Sequence, residues 1–258
     1  MANWNDNRAT RAGVGASPAY RGDVAGRTTF DAGLRRHMLS IYNYMASGVL
    51  LTGVVALLTA RSGLAIQFAQ GPMMWLVALS PIAIVFAMSF GVNRFSQGTL
   101  QAMFWGFAVL MGLSLSTIFL VYTGGSIAAT FFATAGAFAG LSLFGYTTKK
   151  DLSGWGSFLI MGVIGLIIAS VINMFLQSAA LMWAVSFIGV LIFAGLTAYD
   201  TQRLKSEYLS IQQVKVTNPA AAAAYPLGKM AVMGALTLYL DFINMFMFLL
   251  RFMGTSRD

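Results

Sequence analysis

Apolar residues fall into seven nearly continuous blocks, at 40–60, 73–92, 100–122, 127–146, 155–175, 179–199 and 230–250. The blocks are apolar all round, without the stripe of a surface helix or the alternation of a half-buried strand. At about 1.5 Å per residue, a helix of this length crosses a hydrocarbon core of about 30 Å. Backbone groups in lipid must pair within their own segment, so helix is the state these blocks predict. The pattern predicts an all-α membrane protein: a seven-transmembrane-helix bundle forming one domain over 38–255. Most breaks are short; the exception is the polar segment 200–229, read as a linker.

Residues 1–37 are polar, rich in Ala, Gly and Arg, and aperiodic, which predicts a disordered N-terminal tail. With no apolar h-region, this tail is not expected to be a cleavable signal peptide, and Asp6, Asp23 and Asp31 argue against a transit peptide. Lys and Arg orient the bundle. The six arginines of the tail fall on one side together with Arg94, Lys149, Lys150, Arg203, Lys205, Lys215 and Lys229. Only Arg61, Arg251 and Arg257 fall on the other. If all seven blocks cross, the positive-inside rule puts the N-terminus in the cytoplasm and the C-terminus outside.

Composition narrows the chemistry. Hydrophobic residues make up 58% of the chain and charged residues 9%, against about 25% charged in soluble domains. The net charge of +8 lies in loops and tails, where it suits topology and anionic lipid headgroups; no basic stripe with aromatics suggests a nucleic-acid partner. No cysteine is present, and the single histidine, His37, precedes the first block and has no second histidine to bind a metal with. No cofactor is expected. The methionines suit bundle packing. Gly136 and Gly140 form a GxxxG, and glycines in other blocks mark expected close approaches between helices. Asn173 and Asn244 lie in matching Ile-Asn-Met-Phe tetrapeptides of the fifth and seventh blocks and are expected to support the bundle by interhelical hydrogen bonds.

Two carboxylates touch the apolar blocks: Asp200, directly after the sixth, and Asp241, within the seventh. An ionised carboxylate at that depth costs about 2.5 kcal/mol or more, so it must be paired, wetted or protonated. Two carboxyls held together out of water can share a proton and titrate as a pair. Protonated, they can join two helices; deprotonated, they repel and present hard oxygen ligands suited to Ca²⁺. Asp200 and Asp241 are therefore the candidate pH sensor, ion pathway and Ca²⁺ ligands. One geometric difficulty stands: Asp200 is at the inner end of its block, whereas Asp241 is about 16 Å beyond the start of its own. Arg94, at the inner end of the second block, is the cationic partner expected for Asp200.

Several segments carry a family resemblance. Ala-Leu-Thr-Leu-Tyr-Leu-Asp-Phe-Ile-Asn-Met-Phe at 235–246, continuing to Leu-Leu-Arg-Phe-Met at 249–253, resembles the last-helix signature of the Bax inhibitor-1 family, also called the transmembrane BAX inhibitor motif family. Thr-Ala-Tyr-Asp-Thr-Gln at 197–202 and Lys-Lys-Asp-Leu-Ser at 149–153 are similar to its sixth-helix motif and to the loop before its fifth helix. The resemblance covers about 35–255 and is to bacterial-type members. It implies a bundle whose last helix is central, wrapped by the other six, and a di-aspartyl pH sensor for Ca²⁺ leak that would be Asp200 and Asp241. It also implies that Arg94 exchanges partners with Asp200 during gating. The 206–227 segment looks longer than in compact members.

Three functions compete at this stage. The leading one is a pH-sensitive Ca²⁺ leak channel of a bacterial-type inner membrane, with no enzymatic activity and with membrane lipids and Ca²⁺ as partners. The second is a non-transporting regulator that binds another membrane protein, such as a membrane-bound protease or a stress- or death-related factor. The third is an intramembrane aspartyl protease, which two proton-sharing carboxylates would serve. Against it, Asp241 follows Leu-Tyr-Leu and not the Gly-x-Gly that permits close backbone approach.

Overall fold

In the computed structural model, residues 18–218, 220 and 226–257 are described, with side-chain surroundings from Ala32 onward. The helices are α1 (Pro18–Arg61), α2 (Leu64–Phe68), α3 (Met73–Gly91), α4 (Gln97–Leu115), α5 (Ile118–Val121), α6 (Gly124–Thr147), α7 (Ser153–Leu176), α8 (Ala179–Thr217) and α9 (Leu227–Met253). Seven stretches are long and apolar enough to cross a membrane, with α4 and α5 forming one of them. The chain is a seven-helix membrane bundle.

Local chemistry sets several boundaries. Ser96 Oγ accepts from Thr99 N–H at 3.1 Å to start α4, and Thr123 Oγ1 accepts from Ser126 N–H at 3.3 Å to start α6. Ahead of α7, Asp151 Oδ1 accepts from Ser153 N–H at 2.9 Å, and the Ser153 hydroxyl, with this backbone bond behind it, holds the loop carboxyl below its usual range. Gln177, in the left-handed region at φ 50°, ends α7. Asn173 Oδ1 accepts from Ser178 N–H at 3.0 Å and fixes that turn. The expected interhelical role of Asn173 is thereby corrected: an amide one turn from a helix end finds its partner in the turn that follows.

Two sequence boundaries also change. Helix α1 begins at Pro18, inside the segment read as an unstructured tail; residues 1–17 lie outside the described residues. The supposed linker after Asp200 is helical to Thr217. Its Leu204, Tyr208 and Ile211 are buried at helical spacing, giving that polar stretch one apolar face to pack, and Pro219 follows the end. At 39 residues α8 is about 58 Å long, far more than a bilayer core requires. Tyr208 stacks on the buried His37 of α1 with ring centroids 4.9 Å apart, so the extension is tied to the bundle.

The apolar stretch of the last span is 61% buried, against 11% for α3 and α7, and it packs on α1, α4, α6 and α8. Its Tyr239 is fully buried, with its hydroxyl 2.7 Å from Thr52 Oγ1, while Thr52 donates to the Ala108 carbonyl at 2.8 Å. Thr52 has one proton and gives it to Ala108, so Tyr239 is the donor to Thr52. This chain of bonds joins α9, α1 and α4 in the core.

Small residues set the helix spacing, but not all those the pattern suggested. A Cβ at Gly145 would collide with the backbone of Ala198, so α6 and α8 touch there only because the residue is glycine. Gly136 and Gly140 face open space, which corrects their reading as a contact motif. Large apolar side chains such as Leu50, Phe90, Phe132 and Phe175 are exposed on the outer faces, as lipid contact requires.

Candidate functional site

The site is built by the antiparallel pairing of α8 with α9. Phe193 stacks on Phe248 at 5.8 Å, and Gly234 packs against Leu204. Between these two contacts the same register brings Asp200 opposite Asp241. The depth difficulty disappears because α8 does not stop at Asp200. Its extension runs beside the first turns of α9, so the last helix starts well beyond the level of Asp200.

Both carboxyls are buried, Asp200 at 6% exposure and Asp241 at 4%, and they interact directly. Carboxylate oxygens only accept, so a hydrogen bond between the two requires a proton on one of them. Asp241 Oδ2 is buried with no donor onto it. A buried oxygen without a donor is costly when charged, and a shared proton or an entering cation would relieve it.

Asp200 is charge-paired, though not by the residue expected. Arg203 Nη1 donates to Asp200 Oδ1 at 3.3 Å, and Arg203 Nε donates to Glu207 Oε1 at 3.0 Å. Positions 200, 203 and 207 lie on one face of α8. Arg94 is exposed and forms no ion pair among the described residues, so in this conformation the cation on Asp200 is Arg203. The reason is spacing: a side chain one turn along the same helix reaches the carboxylate without crossing to another. Asn244 Nδ2 donates to the Leu240 carbonyl of its own helix at 2.8 Å, which corrects its interhelical reading.

Beyond Arg203 a cavity of about 460 Å³ opens among the end of α3, α8 and α9, where Asn93, Arg203, Glu207, Lys229 and Thr237 line it together with apolar Val92, Leu204, Met230 and Met233. Lys229 Nζ donates to the Val92 carbonyl at 3.2 Å, tying the start of α9 to the end of α3. Arg203, with its side chain 47% exposed, therefore stands between this cavity and the buried pair. Among the described residues no group of three or more His, Cys, Asp or Glu side chains converges.

A family profile described as "Inhibitor of apoptosis-promoting Bax1" matches residues 34–258. The chain belongs to the Bax inhibitor-1 family. An uncharacterized protein of Rickettsia prowazekii is 47% identical over 234 residues, covering 89% of this chain and 94% of the relative. A Caulobacter vibrioides protein is 44% identical over 251 residues, covering 93% and 95%. The Escherichia coli inner membrane protein YbhL is 45% identical over 228 residues, covering 88% and 94%. The family match takes in all the described helices except the first turns of α1, so the carboxyl pair and the helices that build it lie inside the shared domain.

The reading from sequence missed Arg203, Glu207 and Tyr239. The 200/203/207 spacing was a usable signal, hidden once the segment was read as a linker.

Proposed function

We propose that this protein is a pH-sensitive cation leak channel of the inner membrane, with Ca²⁺ as the permeant ion and Asp200 with Asp241 as the gate. The observation that carries the proposal is the buried carboxyl contact in which Asp241 Oδ2 has no donor. With one shared proton the two carboxyls carry one negative charge, and Arg203, which also pairs with Glu207, offsets part of it. When that proton leaves, the buried pair becomes more negative by one charge, and a cation arriving through the Arg203 cavity compensates it. Two carboxylates supply fewer oxygens than the six to eight of a resident Ca²⁺ site, which suits transit rather than retention. On this reading Arg94 serves a second state in which α3 moves toward Asp200. The inner-membrane assignment follows the printed name of the Escherichia coli relative, and the basic loops favour a cytoplasmic N-terminus and an external C-terminus.

The test is Ca²⁺ flux into liposomes holding the purified full chain, compared over about pH 6 to 8. Wild type should show more flux as pH rises, and Asp200→Asn and Asp241→Asn should be flat. A pH-dependent flux that survives both substitutions would reject the gate.

A second reading is favoured by the family description, which names inhibition of another protein. As a non-transporting regulator, the chain would act through residues other than the buried carboxyl pair. Removing residues 1–17 and replacing 218–226 should then abolish regulation while leaving the bundle stable; flux lost by Asp241→Asn alone would speak for the channel.

A further inference from the structure

Helices α1 and α6 both pack on α9, yet they leave a groove between them. Its volume is about 770 Å³, with Phe242 of α9 among the residues that line it. The walls are apolar, and the small side chains of Ala46, Ala135 and Ala139 give it width. A second cavity of about 370 Å³ continues it, sharing Val49, Phe131 and Phe242. Leu39, Leu50 and Leu143 on the lining are exposed at 49%, 68% and 62%, so the groove opens sideways into the surrounding lipid.

The charge on this groove has one sign. Arg35 is the only ionisable side chain among its lining residues apart from Tyr42 and Tyr146, and no acid lines it. Arg35 has no ion-pair partner among the described residues. It lies at the end where Tyr146 closes the groove. There Lys205 donates to the Tyr146 carbonyl at 2.8 Å and sits 5.0 Å from the Tyr146 ring centroid, adding a second cation. From Arg35 to Leu50 the groove follows α1 for about 22 Å, more than the depth of one leaflet.

We infer that this groove binds an anionic glycerophospholipid, with an acyl chain lying along it and the headgroup phosphate on Arg35. An apolar slot that opens into hydrocarbon is filled by chains, because no water reaches it. The Arg35 guanidinium at one end, which pairs with no described residue, then selects headgroups of negative charge. The site shares no lining residue with the Arg203 cavity and does not depend on the transport reading.

The test is native mass spectrometry of the full chain released from vesicles of equal phosphatidylglycerol and phosphatidylcholine with identical chains. Wild type should retain phosphatidylglycerol preferentially. Arg35→Gln should lower that preference about fivefold, the factor for about 1 kcal/mol per basic residue near the membrane. Arg36→Gln, which removes the same charge outside the groove, should leave it unchanged. Ala139→Phe and Ala46→Phe, which fill the groove from opposite walls, should each reduce retention of both lipids. Excess inorganic phosphate should displace neither. Equal retention of the two lipids by wild type, an unchanged preference in Arg35→Gln, full retention in a groove-filled variant whose melting temperature matches wild type, or displacement by phosphate alone would each overturn the assignment.

Discussion

Phe193 of α8 and Phe248 of α9 stack with centroids 5.8 Å apart and planes 27° from parallel, and this contact holds the register in which Asp200 meets Asp241. Gly189, one turn before Phe193, makes room for it: a Cβ there would sit 2.6 Å from the Phe248 ring. The clash is with the body of the ring rather than a flexible tip. Gly189→Ala should therefore shift Phe248 and cost about 1–3 kcal/mol, as overpacked cores do. The measurement is thermal unfolding in detergent. An unchanged midpoint would mean that the ring repacks freely and that register is set elsewhere.

Asp241→Asn separates a gating role from a packing role. The new amide can donate to Asp200 whether or not protons are available, so the helix contact persists at all pH values. Wild-type melting temperature should fall as pH rises and the shared proton is lost, whereas the Asn variant should be flat and no less stable at the alkaline end. A variant that unfolds more readily at every pH would show that the carboxyl is a packing element only.

The seven spans were legible because continuous apolar runs of this length have one outcome in lipid, and α3, α6 and α7 lie close to the expected boundaries. The candidate pair was legible too, since Asp241 interrupts an apolar block. What sequence obscured was continuity. The stretch after Asp200 is polar on most faces, and only Leu204, Tyr208 and Ile211 reveal that it remains a packed helix. Missing that stripe produced the false depth mismatch and hid Arg203. The glycine pattern misled differently: spacing shows where a close approach is permitted, and Gly136 and Gly140 permit one that no described helix uses.

Tyr239 and Thr52 should behave as a coupled pair. Tyr239→Phe removes a donor, but Thr52 keeps its bond to Ala108, so the loss should be about 1 kcal/mol. Thr52→Val strands the buried Tyr239 hydroxyl, while the Ala108 carbonyl keeps its bond within α4, and should cost more, about 1–3 kcal/mol. The double variant should cost less than the two singles combined, because the shared bond is counted twice. Strict additivity in unfolding free energies would mean that the hydroxyls are held independently.

Arg203 and Arg94 make opposite predictions in the conformation described. Arg203→Gln removes the guanidinium that pairs with Asp200 and should move the pH dependence of Ca²⁺ flux, and because Asp200 is buried although Arg203 is half exposed, unfolding should cost more than the roughly 1 kcal/mol of a surface pair. The sign follows from charge: without Arg203 the carboxyl cluster is more negative, so the shared proton is held more tightly and the flux curve moves to higher pH. Arg94→Gln should leave the resting midpoint of that curve in place, since Arg94 touches neither carboxylate here, and should alter only the maximal flux if α3 swings toward Asp200 on opening. A midpoint shift in Arg94→Gln equal to that in Arg203→Gln would show that the two arginines share Asp200 in the resting state as well.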